Sequence, residues 1–287
     1  MTHPRFRVPL FAAMSLVMSV AAAFVVLTSP TRADAAPPYP RVMASTGDSI
    51  TRAFDANWSC FLQDCPRYSW STGTSSSVYS HYRRLLTVAP QLYGRAYNDA
   101  RSGARMTHLA GQLGTAASQS ADYVTILMGA NDVCTSSIGA MTPVATFESQ
   151  FRNALTTFTT ARPKARVFVS SIPNVYRLWA LFRTNPLAVA VWQQFGICQS
   201  MLNINNTETQ RQQVLSRLKA DNAALARVCA EFRQCRWDDY ATYLTSFATS
   251  DVSSVDYFHP SVRGENRLAS VSWAASYWPS VGSTQAA

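Results

Sequence analysis

Lysine is almost missing from this 287-residue chain: Lys164 and Lys219 are the only two, and the rest of its 25 basic residues are arginines. The arginines are scattered rather than gathered into a stripe, so the footprint of a nucleic-acid binder is missing. Histidine is equally scarce, at positions 3, 81, 108 and 259 only. None of the six cysteines forms a Cys-x-x-Cys pair or has a histidine close by, which argues against a zinc site. The sequence shows no internal repeat and no low-complexity tract. Beyond Leu27 no run is long and apolar enough to span a bilayer.

What is present begins with a leader. Arg5 and Arg7 precede an uncharged apolar stretch from Val8 to Leu27, and Ala33-Asp34-Ala35 follows as a small-x-small cleavage pattern. Residues 1–35 are therefore expected to be a signal peptide, with a retained anchor as the alternative. Residues 36–287 suffice for a single α/β domain exported from the cell. The formal charge of +9 leaves either an ordinary solvated surface or a mild, transient attraction to anionic lipid. An even cysteine count in an exported chain points to disulfides. Proximity pairs Cys60 with Cys65 and Cys229 with Cys235, which leaves Cys134 for Cys198.

Short apolar runs alternate with longer amphipathic ones. Strands are expected at 42–44, 91–100, 122–132, 165–173 and 235–240. Helical periodicity is visible over 78–88, 147–161, 207–232 and 267–278, with Thr207 placed to cap the third of these. Such alternation implies a parallel sheet of five strands covered on both faces. Sites in these sheets lie at the carboxyl ends of the strands. Four loops at that edge carry complementary chemistry: Gly47-Asp48-Ser49, Asn98 to Gly103, "GAND" with Asn131, and "VDYFHPS" with His259.

A serine hydroxyl becomes a nucleophile only when a base takes its proton. His81 and His108 fall within helical stretches and read as structural, whereas His259 stands in a loop three residues after Asp256. A carboxylate at that spacing can turn back to the imidazole Nδ1 and fix its tautomer. The Ser49 backbone N–H, Gly103 and the Asn131 amide can supply the donors that a developing oxyanion requires.

At these residues the chain resembles the SGNH (GDSL-type) hydrolases. Ser49 in "GDSI", Gly103 in "NDARSGA", Asn131 in "GAND" and Asp256 with His259 in "DYFH" match the family's blocks in order, over roughly residues 41–280. "RYSWSTG" (67–73) and "DYFHPSVRGENRLA" (256–269) look more like its phospholipase B-like branch. The resemblance implies a flavodoxin-like three-layer α/β/α sandwich and metal-independent ester hydrolysis through an acyl-enzyme, with no cofactor. In some relatives a main-chain carbonyl orients the histidine, which leaves the role of Asp256 open.

An insertion at 174–205 is rich in large apolar residues. Trp179, Phe182, Trp192 and Phe195 are expected to wall or cover an acyl-chain site, unless the segment is simply two short helices packed on each other. The sequence therefore reads as a secreted, monomeric serine esterase of lipase or phospholipase type. An acetyl- or carbohydrate esterase is the alternative, and a non-catalytic glycan- or lipid-binding module is a third.

Overall fold

Five parallel strands form one sheet in the order β2-β1-β3-β4-β5. They are β1 (Met43–Gly47), β2 (Ala96–Asn98), β3 (Tyr123–Leu127), β4 (Arg166–Val169) and β5 (Cys235–Trp237). Every residue of β1 and β3 is buried, as a sheet covered on both faces requires. The computed structural model describes Met1, Thr2 and residues 37–282. The leader expected over 1–35 therefore lies, from His3 onward, outside the described residues. Residues 37–282 form one compact unit.

The helices are α1 (His81–Leu86), α2 (Leu109–Ser118), α3 (Ala130–Val133), α4 (Val144–Ala161) and α5 (Tyr176–Phe182). They continue with α6 (Pro186–Gln194), α7 (Gln199–Leu202), α8 (Glu208–Ala230), α9 (Ala241–Leu244) and α10 (Val262–Ala274). α4 packs between α2 and α8. α1 and α10 meet through His81, whose Nε2 lies 2.9 Å from Ser272 Oγ and whose ring abuts Trp273. Its Nδ1 lies 2.9 Å from Tyr123 Oη on β3, so His81 ties two helices to the sheet. Burial drives its pKa well down, and it serves as a core residue. Helices thus flank the all-parallel sheet, giving the expected three-layer α/β fold.

Local chemistry sets the helix starts. Thr207 caps α8 in a reciprocal box, Gln210 N donating to Thr207 Oγ1 (3.2 Å) and Thr207 N to Gln210 Oε1 (2.7 Å). Ser261 caps α10 by accepting from Gly264 N, which starts that helix at Val262 rather than 267. The strand expected over 91–100 shrinks to three residues because Pro90–Leu92 forms a 3₁₀ turn. The insertion holds three helices, α5 to α7, instead of two.

Candidate active site

β1 ends at Gly47 with a φ of +147°. A Cβ there would stand 2.3 Å from Leu127 O and 2.6 Å from Thr51 Oγ1, so no other residue fits this close approach. The side chain of Gln112 on α2 clamps both polar groups of this glycine, accepting from its N–H (2.7 Å) and donating to its carbonyl (2.9 Å). Asp48 then folds back, Oδ1 accepting from Ile50 N at 3.0 Å. Ser49 is left at the carboxyl end of the strand on a backbone held from both sides. Gln112 gave no local sign of this task in the sequence: it lies 65 residues from its partner.

Ser49 Oγ lies 2.7 Å from His259 Nε2, and His259 Nδ1 lies 2.5 Å from Asp256 Oδ2. The second oxygen of Asp256 accepts from the N–H groups of Phe258 (2.9 Å) and His259 (3.0 Å). One short loop thus supplies both the imidazole next to Ser49 and the carboxylate bonded to its far side. Ser253 N donates to His259 O at 2.8 Å and closes the loop.

The donors converge on the same place. Ser49, Gly103 and Asn131 all line a recess of about 310 Å³, together with Phe54, Ile197, Phe258 and His259. Among the described residues, no hydrogen bond engages the backbone N–H of Ser49 or of Gly103. Asn131 Nδ2 donates one hydrogen to Ala104 O at 3.0 Å, which fixes the amide and leaves its other hydrogen free. The neighbouring Asp132 braces this corner by accepting from Met106 N (2.9 Å) and Thr142 Oγ1 (2.7 Å).

The electrostatics favour a cationic imidazole. Burial alone would lower the pKa of His259, but the carboxylates of Asp256, Asp48 and Asp55 outweigh it and hold the pKa above its ordinary value. Asp48, fully enclosed, is pushed by burial up to about 7. Asp55 is the member that local patterning did not reveal. An oxygen of Asp55, an oxygen of Asp256 and a ring nitrogen of His259 all lie within 4.8 Å of one another. Among the described residues this is the one cluster with three or more acidic, histidine or cysteine ligand atoms. Both imidazole nitrogens are already engaged, by Ser49 and Asp256, so the cluster reads as a hydrogen-bond network.

The four aromatics expected to wall or cover an acyl-chain site do not line the recess at Ser49. Trp192 is 0% exposed, with its indole N–H donating to Tyr257 O at 3.2 Å, and Phe182 meets it edge-on in the core. Trp179 stacks under the Arg211 guanidinium at 3.6 Å, and Phe195 is 61% exposed to solvent. None of the four lines the recess, where the insertion contributes Gly196, Ile197 and Cys198 instead. Packing explains three of them: Trp179, Phe182 and Trp192 fasten α5 and α6 to the body, whereas Phe195 follows α6 and points to solvent. The cysteines are joined as Cys60–Cys65, Cys134–Cys198 and Cys229–Cys235.

Comparison with known proteins places this geometry. No curated protein matches the sequence. Among solved structures, a GDSL-like protein of Parabacteroides merdae is 18% identical with a TM-score of 0.51, covering 82% of this chain and 94% of that one. An extracellular lipase of Streptomyces rimosus is also 18% identical, with a TM-score of 0.50, over 82% of this chain and 99% of its own. At that identity both show a shared fold. The GDSL-like lipase/acylhydrolase family model matches residues 46–267, a span running from the strand before Ser49 to α10 beyond His259. The chain belongs to the GDSL-like lipase/acylhydrolase family, a family of hydrolases.

Proposed function

We propose that the chain is an exported serine hydrolase of carboxylic esters, with Ser49 as nucleophile, His259 as general base and Asp256 as its orienting carboxylate. The observation that carries this is the unbroken chain Ser49 Oγ–His259 Nε2 and His259 Nδ1–Asp256 Oδ2, at 2.7 and 2.5 Å, opening on a recess with unengaged N–H donors. In the first half-reaction His259 takes the hydroxyl proton as Ser49 Oγ attacks the ester carbonyl. The N–H groups of Ser49 and Gly103 and the Asn131 amide receive the oxyanion. His259 then hands the proton to the leaving alcohol, and water releases the acyl group by the reverse route.

The substrate class we assign is lipid-like, because Phe54, Ile197 and Phe258 give the recess an apolar rim. A phospholipase-type substrate rests on the resemblance of "RYSWSTG" and "DYFHPSVRGENRLA" to the phospholipase B-like branch; in the fold the two segments meet, Trp70 N donating to Glu265 Oε2 at 2.8 Å. Export is consistent with three disulfides.

Ser49→Ala is expected to abolish hydrolysis of p-nitrophenyl esters, by about a millionfold in kcat, while leaving the circular dichroism spectrum intact. Asn131→Ala should cost about 2.7–4 kcal/mol of transition-state stabilisation, seen in kcat more than in KM. A folded Ser49→Ala protein with near-normal turnover would overturn the assignment.

A further inference from the structure

The loops that present the triad have a second side. Ile50 follows Ser49, Ala130 precedes Asn131, and Phe258 and Pro260 flank His259; all four line a cavity of about 60 Å³. Leu178 and Leu181 of α5 close it from the insertion. The two charged residues at its edge are already engaged. Asp251 pairs with Arg263 and Arg267, while Arg177 donates to Phe247 O at 3.1 Å. The other polar residue there, Asn174, accepts from Tyr176 N at 3.1 Å, and the rest of the lining is apolar. Phe258 is the one residue that lines both this cavity and the recess at Ser49. Its ring is half-buried and meets the His259 ring edge-on, with centroids 5.0 Å apart.

We propose that this cavity is the acyl-chain subsite of the enzyme, reached past Phe258 and shaped for a short alkyl chain. The inference rests on the ester-hydrolase reading of Ser49 and adds to it the size of the acyl group. An apolar void forfeits packing contacts on every wall, so filling it with methylenes is favourable. At roughly 10–15 Å³ for a water-sized group the space takes about four to six such groups, and the lower figure sets the stated size. Acetate plus four methylenes is hexanoate. The insertion thus governs chain length through Leu178 and Leu181 rather than through its large aromatics.

The test is a series of p-nitrophenyl esters from acetate to decanoate. Burial of each methylene is worth about fourfold in kcat/KM, so hexanoate should exceed acetate by about two hundredfold, with no further gain beyond it. Leu178→Trp fills the cavity and should lower the hexanoate-to-acetate ratio at least tenfold. Because the ratio is taken within each protein, a loss of folded material scales both esters alike. A second measurement uses alkylboronic acids, whose boron is captured by the serine oxygen. Their Ki should fall with chain length in parallel, up to about the same size. A flat profile with Ser49-dependent acetate hydrolysis, or a ratio unmoved by Leu178→Trp, overturns the subsite and leaves the hydrolase reading standing. A rise that continues through decanoate overturns the stated size. If no ester is cleaved and no boronic acid inhibits, the reading beneath the inference falls with it.

Discussion

Asp55 and Asp256 bring two carboxyl groups to one imidazole: an oxygen of each lies within 4.8 Å of the same His259 nitrogen. Asp55 is held there by its own segment. Its Oδ1 accepts from Leu62 N at 2.5 Å, its N–H donates to Gln63 O, and its carbonyl accepts from Ser253 Oγ. Its backbone takes a φ of +53°, uncommon for a residue with a side chain and sustained by these bonds. The Cys60–Cys65 loop is therefore connected through Asp55 to the triad.

The pH profile follows from this charge arrangement. His259 must be neutral to act as base, so kcat/KM should rise as pH climbs through its folded pKa, which lies above the ordinary 6.5. Burial, reinforced by Asp256, pushes Asp55 up to about 6, so it is mainly anionic where the enzyme works. An anion beside His259 favours the imidazolium. Asp55→Asn removes that charge and should move the acidic limb of kcat/KM to lower pH, by on the order of one unit. A reduced rate with an unmoved limb would make Asp55 a purely structural residue.

The Cys134–Cys198 bridge joins two chain segments 64 residues apart, and both cysteines line the recess. Cys134 caps the short helix that carries Asn131, while Ser200 beside Cys198 accepts from Thr135 N and donates to Val133 O. The bridge therefore fastens the insertion to the segment bearing Asn131, the proposed oxyanion donor. Replacing both cysteines by serine should cost about 2–5 kcal/mol of stability, read as a fall in Tm. It should also lower kcat at temperatures well below the new Tm. Unchanged turnover would confine the bridge to stability.

The Ser49–His259–Asp256 arrangement, the proposed triad, was legible because its members sit in short local patterns: a serine just past a buried strand, and a carboxylate three residues before a loop histidine. The sheet was legible because apolar runs alternate with amphipathic ones. Gln112 and Asp55 were not, because their roles arise only when distant segments meet; Asp55 is bonded to Ser253, 198 residues away. The four insertion aromatics show a different limit. Trp192 and Phe182 look alike in sequence whether they fill a core or line a pocket, and tertiary packing put them in the core. The neighbouring Leu178 and Leu181, one turn of α5 apart, face the cavity instead.

Glu265 is fully buried: Oε2 accepts from Trp70 N at 2.8 Å, and Oε1 has no partner among the described residues. Burial, with the neighbouring Asp48 adding to it, raises its pKa well above the ordinary value. The folded state therefore keeps a proton that the unfolded chain gives up near pH 4.5. For an acid with a raised folded pKa, stability is greatest below the unfolded value and erodes as pH rises toward the folded one. The erosion from one such group is at most about 1.4 kcal/mol per pH unit. Glu265→Gln keeps the shape and the acceptor for Trp70 N but cannot ionise. Its Tm relative to the parent protein should therefore improve steadily from pH 5 to pH 8, whereas Glu265→Ala loses the Trp70 contact and should be less stable than Glu265→Gln at every pH. A Tm difference between Glu265→Gln and the parent that stays constant across that range would show that Glu265 does not hold its proton in the fold.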